Sequence, residues 1–314
     1  MTSTVTHWRS SIAGIVLVAI FLVQVSVTVD AADINCVEER AALDYWRPIR
    51  ENATDSPEPA DSRALELVSC LASPNSELRD RIGYELFTFW LRNEKLTDDT
   101  RRSLLGTLSA NLTAHRVDEP DSTVLARSFS ALILAELMRS DSNGPFMTGA
   151  ERQILLDRAT VSLIRENDYR GLDVELGWVH PVAHMSDLLW RFALHKDTDA
   201  GQAKSIIDAV RLKVAPTVVF YSFNESDRLA RVITTVITRK LVDSETLMTW
   251  VSSFADPQSM EKWSDAFASQ EGMAELHNTK LFLRALADQI DGADVDPVIA
   301  ETLDELVAGF TQLI

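Results

Sequence analysis

Helical periodicity runs through almost the whole chain and is the feature that most restricts its fold. In the stretch SELRDRIGYELFTFWL, the apolar residues Leu78, Ile82 and Leu86 recur every four residues, which places them on one face of a helix. The same spacing recurs in most windows after residue 35, and short polar segments such as SDSNGP and DGADVDP separate these windows. The pattern predicts an all-α protein.

Short loops between helices indicate that successive helices pack as antiparallel neighbours. So many helices in one chain favour a stacked α-α array, either HEAT-like or an irregular helical-repeat stack. No Gly/Ser-rich or Pro-rich linker divides the chain, so we predict a single domain over residues 35–314. Among the predicted helices is one over residues 258–269. No pair of strands is expected, and the β-like run TVVFYSF at residues 217–223 is interpreted as a buried connector.

Residues 1–31 have the pattern of a signal peptide. Arg9 precedes the apolar run IAGIVLVAIFLV, and the sequence VDA at residues 29–31 suits cleavage after Ala31. The alternative is an uncleaved anchor, but a membrane-spanning helix needs about 20 apolar residues. We therefore expect export to the periplasm or the cell exterior, without membrane insertion of the mature chain.

The mature chain contains two cysteines, Cys36 and Cys70. An exported compartment is oxidising, so a disulfide between them is predicted, and the alternative is that both are small buried residues. The net charge of −17 arises from 47 acidic and 30 basic residues. Such a surface repels nucleic acid and anionic lipid, so neither is expected as a partner.

Ionisable residues are concentrated in the stretch NDYRGLDVELGWVHPVAHMSDLLWRF, residues 167–192. His180, His184 and Asp187 have the spacing of one helix face, and two histidines with a carboxylate are typical zinc ligands. Zinc would activate a water for hydrolysis, with Glu175 or Asp168 as the candidate catalytic base. However, Pro181 disfavours a helical conformation at His180, which indicates that His180 is an N-cap.

The same stretch favours a second interpretation, which is a binding site without a metal. A helix that begins at Pro181 presents free N–H groups to a carboxylate or phosphate. The site would then bind a peptide, a sugar, a protein partner or another small ligand. A third interpretation is structural, with Arg170 paired to an aspartate and the histidines bonded to backbone carbonyls. The candidate ligand-binding residues are Arg170, Trp178, His180, His184 and Asp187.

Other charged residues are assigned no function. His195 is expected to be exposed, and Arg228 and Arg231 are expected on a solvated helix face.

The central stretch contains Arg170-Gly171 followed by GWVHPVAHMSD at residues 177–187. Together these segments resemble the motif of a bacterial helical family of unknown function, the domain numbered 2785: an Arg-Gly turn, then Gly-Trp-x-His-x-x-Ala-His-x-x-Asp. LRDRIGYELFTFWL and NTKLFLRAL resemble the flanking segments of that family, so the resemblance spans residues 65–290. It implies an all-α fold and no established reaction. Pro181, Met185 and Ser186 depart from the usual pattern.

Overall fold

The computed structural model describes residues 36, 38–53, 60–114 and 122–313 of the chain. Within these residues the protein is all-α, as predicted, and the predicted signal peptide lies outside them. The α-helices are α1 (Glu39–Glu51), α2 (Asp61–Leu67), α3 (Glu85–Arg92), α4 (Asp98–Asn111), α5 (Val124–Asn143), α6 (Gly149–Arg165), α7 (Pro181–Leu194), α8 (Ala200–Lys213), α9 (Glu225–Thr238), α10 (Ser244–Ser252), α11 (Gln270–Ile290) and α12 (Pro297–Gln312).

Three further helical segments are not α-helical. A 3-10 helix, Val68–Ala72, continues α2, and a π-helical segment, Glu77–Tyr84, leads directly into α3. A second 3-10 helix, Trp263–Ala268, precedes α11. The prediction of a helix over residues 258–269 is therefore wrong in its first half, where the backbone N–H groups of Gln258 and Ser259 donate to the buried carboxylate of Glu275 instead.

The helices from α3 onwards form two layers. In the first layer α3, α5, α7, α9 and α11 pack one after another, and in the second layer α4, α6, α8, α10 and α12 do the same. Because each connection returns the chain from one layer to the other, the helices of the first layer begin at the same end of the molecule. This is a stacked helical arrangement, and its classification as a set of HEAT-like repeats stays a prediction.

One cluster of buried apolar side chains extends from Cys36 to Phe310 and includes residues from every α-helix. A disulfide joins Cys36 and Cys70, as predicted, and ties the segment before α1 to the 3-10 helix after α2. The single-domain boundary at residue 35 stays a prediction. None of the helices described is both long and apolar enough to cross a membrane.

The expectation that no strands pair is wrong at one place. β1 (Leu172–Asp173) and β2 (Gly177–Trp178) form a short antiparallel hairpin. The Asp173 side chain accepts hydrogen bonds from the backbone N–H groups of the hairpin turn, and Gly177 adopts a φ of +71°, which glycine tolerates without strain. The connector at residues 217–223 contains no strand, as predicted, but the expectation that it is buried is wrong, because only Tyr221 is buried and Val218 is 76% exposed.

Candidate functional site

Two long connections meet at the N-terminal end of the first layer. Residues 166–180 join α6 to α7 and carry the hairpin, and residues 214–224 join α8 to α9. The residues that cap α7 and α9, His180 and Asn224, both have left-handed backbone conformations, with φ of 49° and 65°. Such conformations are uncommon for residues other than glycine and recur at functional sites.

These connections enclose a cavity of about 480 Å³, within the size range of ligand pockets in proteins. Its walls come from the π-helical segment before α3, from α5, from the hairpin, from α7 and from the start of α9. The lining residues are Asp80, Tyr84, Phe129, Leu132, Trp178, His180, His184, Ser222, Phe223, Asn224 and Arg228.

His184 presents a hydrogen-bond acceptor to this cavity. Its Nδ1 lies 2.8 Å from Ser128 Oγ, and the Ser128 hydroxyl donates its own proton to the Val179 carbonyl. Ser128 Oγ therefore accepts from Nδ1–H of His184, which leaves Nε2 with a lone pair. Burial lowers the pKa of His184 to about 3, and the neighbouring His180, Arg228 and Arg79 lower it too. The ring is thus neutral, and Nε2 makes no hydrogen bond within the described part of the chain.

His180 is the second imidazole of the cavity, and its ring centroid lies 5.8 Å from that of His184. Its Nε2 lies 2.8 Å from the Phe223 carbonyl oxygen, so Nε2 is the protonated nitrogen and Nδ1 carries the lone pair of the neutral ring. Burial lowers the pKa of His180, although the bond to Phe223 and the nearby Glu225 raise it. The Trp178 ring stacks on His180, with centroids 4.7 Å apart.

The rim of the cavity is apolar and exposed. Trp178 on the hairpin is 44% exposed and Phe223 on the second connection is 36% exposed. The two connections touch here, because Gly171 lies so close to the Phe223 ring that an added Cβ would be 2.1 Å from Phe223 Cδ2. Exposed apolar groups around a polar cavity are typical of binding surfaces.

A buried arginine holds the hairpin in place. The Arg79 guanidinium donates to the carbonyl oxygens of Leu176 and Trp178, at 2.7 and 3.2 Å, and pairs with the adjacent Asp80. Burial lowers the pKa of Arg79 and raises that of Asp80, although their mutual attraction opposes both shifts. This contact was not predicted, since Arg79 lies almost a hundred residues before the hairpin.

The structure brings only some of the predicted site residues to the cavity. Trp178, His180 and His184 line it. Arg170 instead donates to the Asp168 carboxylate, at 3.0 Å from each carboxylate oxygen. Glu175 is exposed in the hairpin turn. Their assigned roles in binding or catalysis therefore stay predictions.

Asp187, the predicted third metal ligand, pairs with Arg228 and Arg231. Among the described residues no group of three or more His, Cys, Asp or Glu is arranged to hold a metal ion. Arg228 and Arg231 lie on a partly solvated face, with side chains 39% and 35% exposed, but their pairing with Asp187 was not predicted. The lining residues from the π-helical segment, α5 and the second connection were not predicted. Asp80 and Tyr84 lie in the stretch LRDRIGYELFTFWL, and Ser222 and Phe223 lie in TVVFYSF, but neither stretch was assigned to a site.

His195 is buried, not exposed as predicted. It lies at the opposite end of α7, where its Nε2 is 3.3 Å from the Asp141 carboxylate and its Nδ1 accepts from the Asp197 N–H. Burial raises the pKa of Asp141, but hydrogen bonds from His195, from two backbone N–H groups and from Arg152 outweigh it and bring the pKa to about 2. This network joins helix ends.

The model of one protein family, described as "Protein of unknown function (DUF2785)", matches residues 91–287, which is more than half of the chain. No curated protein and no solved structure gave a significant match. The matched segment contains both long connections and the lining residues from Phe129 to Arg228, whereas Asp80 and Tyr84 precede it.

Proposed function

The chain belongs to the DUF2785 family of proteins of unknown function, and from the chemistry of its pocket we propose that it is an exported binding module. The pocket holds an uncharged group of a small ligand or of a protein partner. The Cys36–Cys70 disulfide supports export, because such bonds persist in oxidising compartments.

The observation that carries this proposal is the state of His184. The side chain is only 9% exposed, its Nδ1–H is held by Ser128, and its Nε2 lone pair has no protein donor among the described residues. The Nε2 atom itself is not fully buried, because His184 lines the cavity, so a water or a ligand can reach it. A ligand N–H or O–H group would satisfy it, so the ligand carries a hydrogen-bond donor.

The rim supplies the second half of the recognition. The exposed rings of Trp178 and Phe223 pack edge to face at the rim, with centroids 6.0 Å apart, and offer an aromatic surface to a flat or apolar group. The ligand class is thus an apolar group with an attached N–H or O–H, as in a peptide side chain with its backbone or in a sugar ring.

Binding is favoured over hydrolysis because the nearby carboxylates are paired with arginines and His184 is a weak base. Asp80 is paired with Arg79, and Asp187 is paired with two arginines. A histidine with a pKa of about 3 accepts a proton poorly at neutral pH. The alternative, a zinc-dependent hydrolase using His180, His184 and Asp187, has the two free imidazole nitrogens in its favour. This alternative requires the Asp187 carboxylate to break its ion pairs with both arginines. Calorimetric titration of the protein with zinc tests it.

The test uses N-acetyl-tryptophanamide as a probe, since it combines an aromatic ring with amide donors. Heteronuclear NMR titration should show shifts confined to the hairpin, the start of α7 and residues 220–228. Trp178→Ala should remove binding while leaving the melting temperature nearly unchanged. Phe267→Ala is the matched control, because Phe267 is similarly exposed, at 53%, but lies outside the pocket. Shifts spread over the surface, or equal binding by both variants, would disprove the proposal.

A further inference from the structure

Beyond the pocket, the same helix faces carry a row of arginines. In α5 and α7 the arginines follow the pocket residues by seven positions, from Leu132 to Arg139 and from His184 to Arg191. Residues seven positions apart lie on one helix face and are separated by about 10 Å along the axis. Arg92 on α3 completes the row together with Arg228 and Arg231 on α9. We call this row the arginine band: Arg92, Arg139, Arg191, Arg228 and Arg231.

Two carboxylates hold most of the band together. Glu136 accepts two hydrogen bonds from Arg92, at 2.7 and 2.8 Å, and lies 3.9 Å from Arg191. Asp187 pairs with Arg228 and Arg231. No ion pair of Arg139 is found in the described part of the chain. Five guanidinium groups thus share two carboxylates, which leaves three positive charges uncompensated in a chain whose net charge is −17.

The band is held in position before any partner binds. The Trp190 ring lies between the guanidinium groups of Arg191 and Arg231, at 4.5 and 4.0 Å from its centroid, and its indole N–H donates to Thr235. Burial lowers the pKa of Arg231, and Arg228 and Arg191 lower it further, although Asp187 raises it. Like charges that repel one another at fixed positions are relieved by a bound anion.

We infer that the arginine band binds acidic side chains of an extended peptide segment whose apolar side chain occupies the pocket. This inference rests on the proposed function and names its partner. Leu132 and Arg139, like His184 and Arg191, are about 10 Å apart along their helix axes, which equals about three residues of extended chain at about 3.3 Å each. Arg228 lies at the pocket itself. The expected recognition pattern is therefore an apolar residue and an acidic residue three positions apart.

A peptide suits the site better than a polysaccharide or a nucleic acid. Phe129, Leu132 and Phe223 give the pocket apolar walls that fit an aliphatic or aromatic side chain, whereas sugar hydroxyls would lose hydrogen bonds against them. A nucleic acid carries a phosphate at every nucleotide, and a chain with a net charge of −17 repels it.

The test compares three labelled peptides by fluorescence anisotropy. The first is Gly-Ser-Trp-Gly-Ser-Glu-Glu-Ser-Gly, the second has the reverse order, and the third has Gln in place of Glu in the first. Of the two acidic peptides, the one whose chain direction matches the site should bind about tenfold more tightly than the Gln peptide at low salt. This advantage should vanish at about 1 M salt, where the Debye length falls to about 3 Å.

Variants then locate the charge that is responsible. Arg139→Gln should weaken binding of the acidic peptide about two- to fivefold, the range of a partly exposed ion pair, and leave the Gln peptide unchanged. It leaves no carboxylate without a partner, so the fold is not perturbed. Arg165→Gln is the matched control, because Arg165 is exposed at the end of α6 in the second layer, and it should alter neither affinity.

The possible failures are distinguishable. Equal binding of the acidic and Gln peptides, or equal effects of Arg139→Gln and Arg165→Gln, overturns the band inference while the pocket function stands. No binding of the Gln peptide or of N-acetyl-tryptophanamide overturns the proposed function itself. If an oligogalacturonate displaces the acidic peptide, and if Arg139→Gln weakens that displacement, the choice of a peptide as the partner is overturned. If the protein forms a dimer at high concentration, and if Arg139→Gln abolishes that dimer, the partner is a second copy of the chain and not a peptide.

Discussion

The protonation of His184 gives a sharp test of the pocket chemistry. Its pKa is about 3 in the folded protein and about 6.5 in an unfolded chain. The unfolded state therefore binds the proton more readily, so acid favours unfolding. The contribution of the neutral His184 ring to the free energy of unfolding is complete above a pH of about 6.5. Below that pH it falls by about 1.36 kcal/mol per pH unit. The loss is about 3 kcal/mol by a pH of about 4.5, and about 5 kcal/mol once pH reaches the folded pKa.

His184→Asn removes this titration while keeping an amide N–H that can donate to Ser128. We expect the variant to be less stable than the parent above neutral pH, because the smaller side chain packs less well against Phe129. Its free energy of unfolding should then decline less steeply on acidification, so that the two curves converge or cross. Urea unfolding followed by circular dichroism at several pH values measures both slopes, and the shared contributions of other groups cancel in the difference. Parallel curves would refute the assignment of a neutral, buried acceptor.

Three further outcomes are expected. Gly171→Ala should displace the Phe223 ring, which costs about 1–3 kcal/mol of stability and weakens peptide binding; unchanged binding would contradict the contact between the two connections. Removal of the Cys36–Cys70 disulfide, by a double change to serine, should lower the free energy of unfolding by up to about 4 kcal/mol, as measured by denaturant titration. N-terminal sequencing of the exported protein should begin at Ala32, whereas a chain that retains residue 1 would indicate an anchor.

Much of the fold is predictable because helix formation is decided locally. The apolar spacing identifies most helices, and their ends coincide with capping residues, as in the capping box in which Thr148 and Glu151 begin α6. The wrong helix at residues 258–269 shows where local information ends. There the carboxylate of Glu275, sixteen and seventeen residues further along, binds the backbone N–H groups of Ser259 and Gln258, which would otherwise begin a helix.

The site is less predictable, because charged side chains choose their partners through the fold. The sequence marks His184 and Trp178 correctly as neighbours of a pocket. Asp187 shares a helix face with His184, yet two arginines more than forty residues away reach its carboxylate. No spacing rule shows such long-range pairs. The hydroxyl that fixes the tautomer of His184 comes from Ser128, on a different helix.

The contact between Arg79 and the hairpin also orders the events of folding. Arg79 lies 97 and 99 residues before the carbonyl groups that it binds, and a two-residue ladder is too short to persist alone. Closing so long a loop is slow, because its entropic cost is offset only after the intervening helices have packed. The wall that carries Trp178 is therefore completed late, after α3, α5 and α7 have assembled. We therefore expect the pocket to be complete only in the fully folded chain, so that capture of a partner reports that folding has finished.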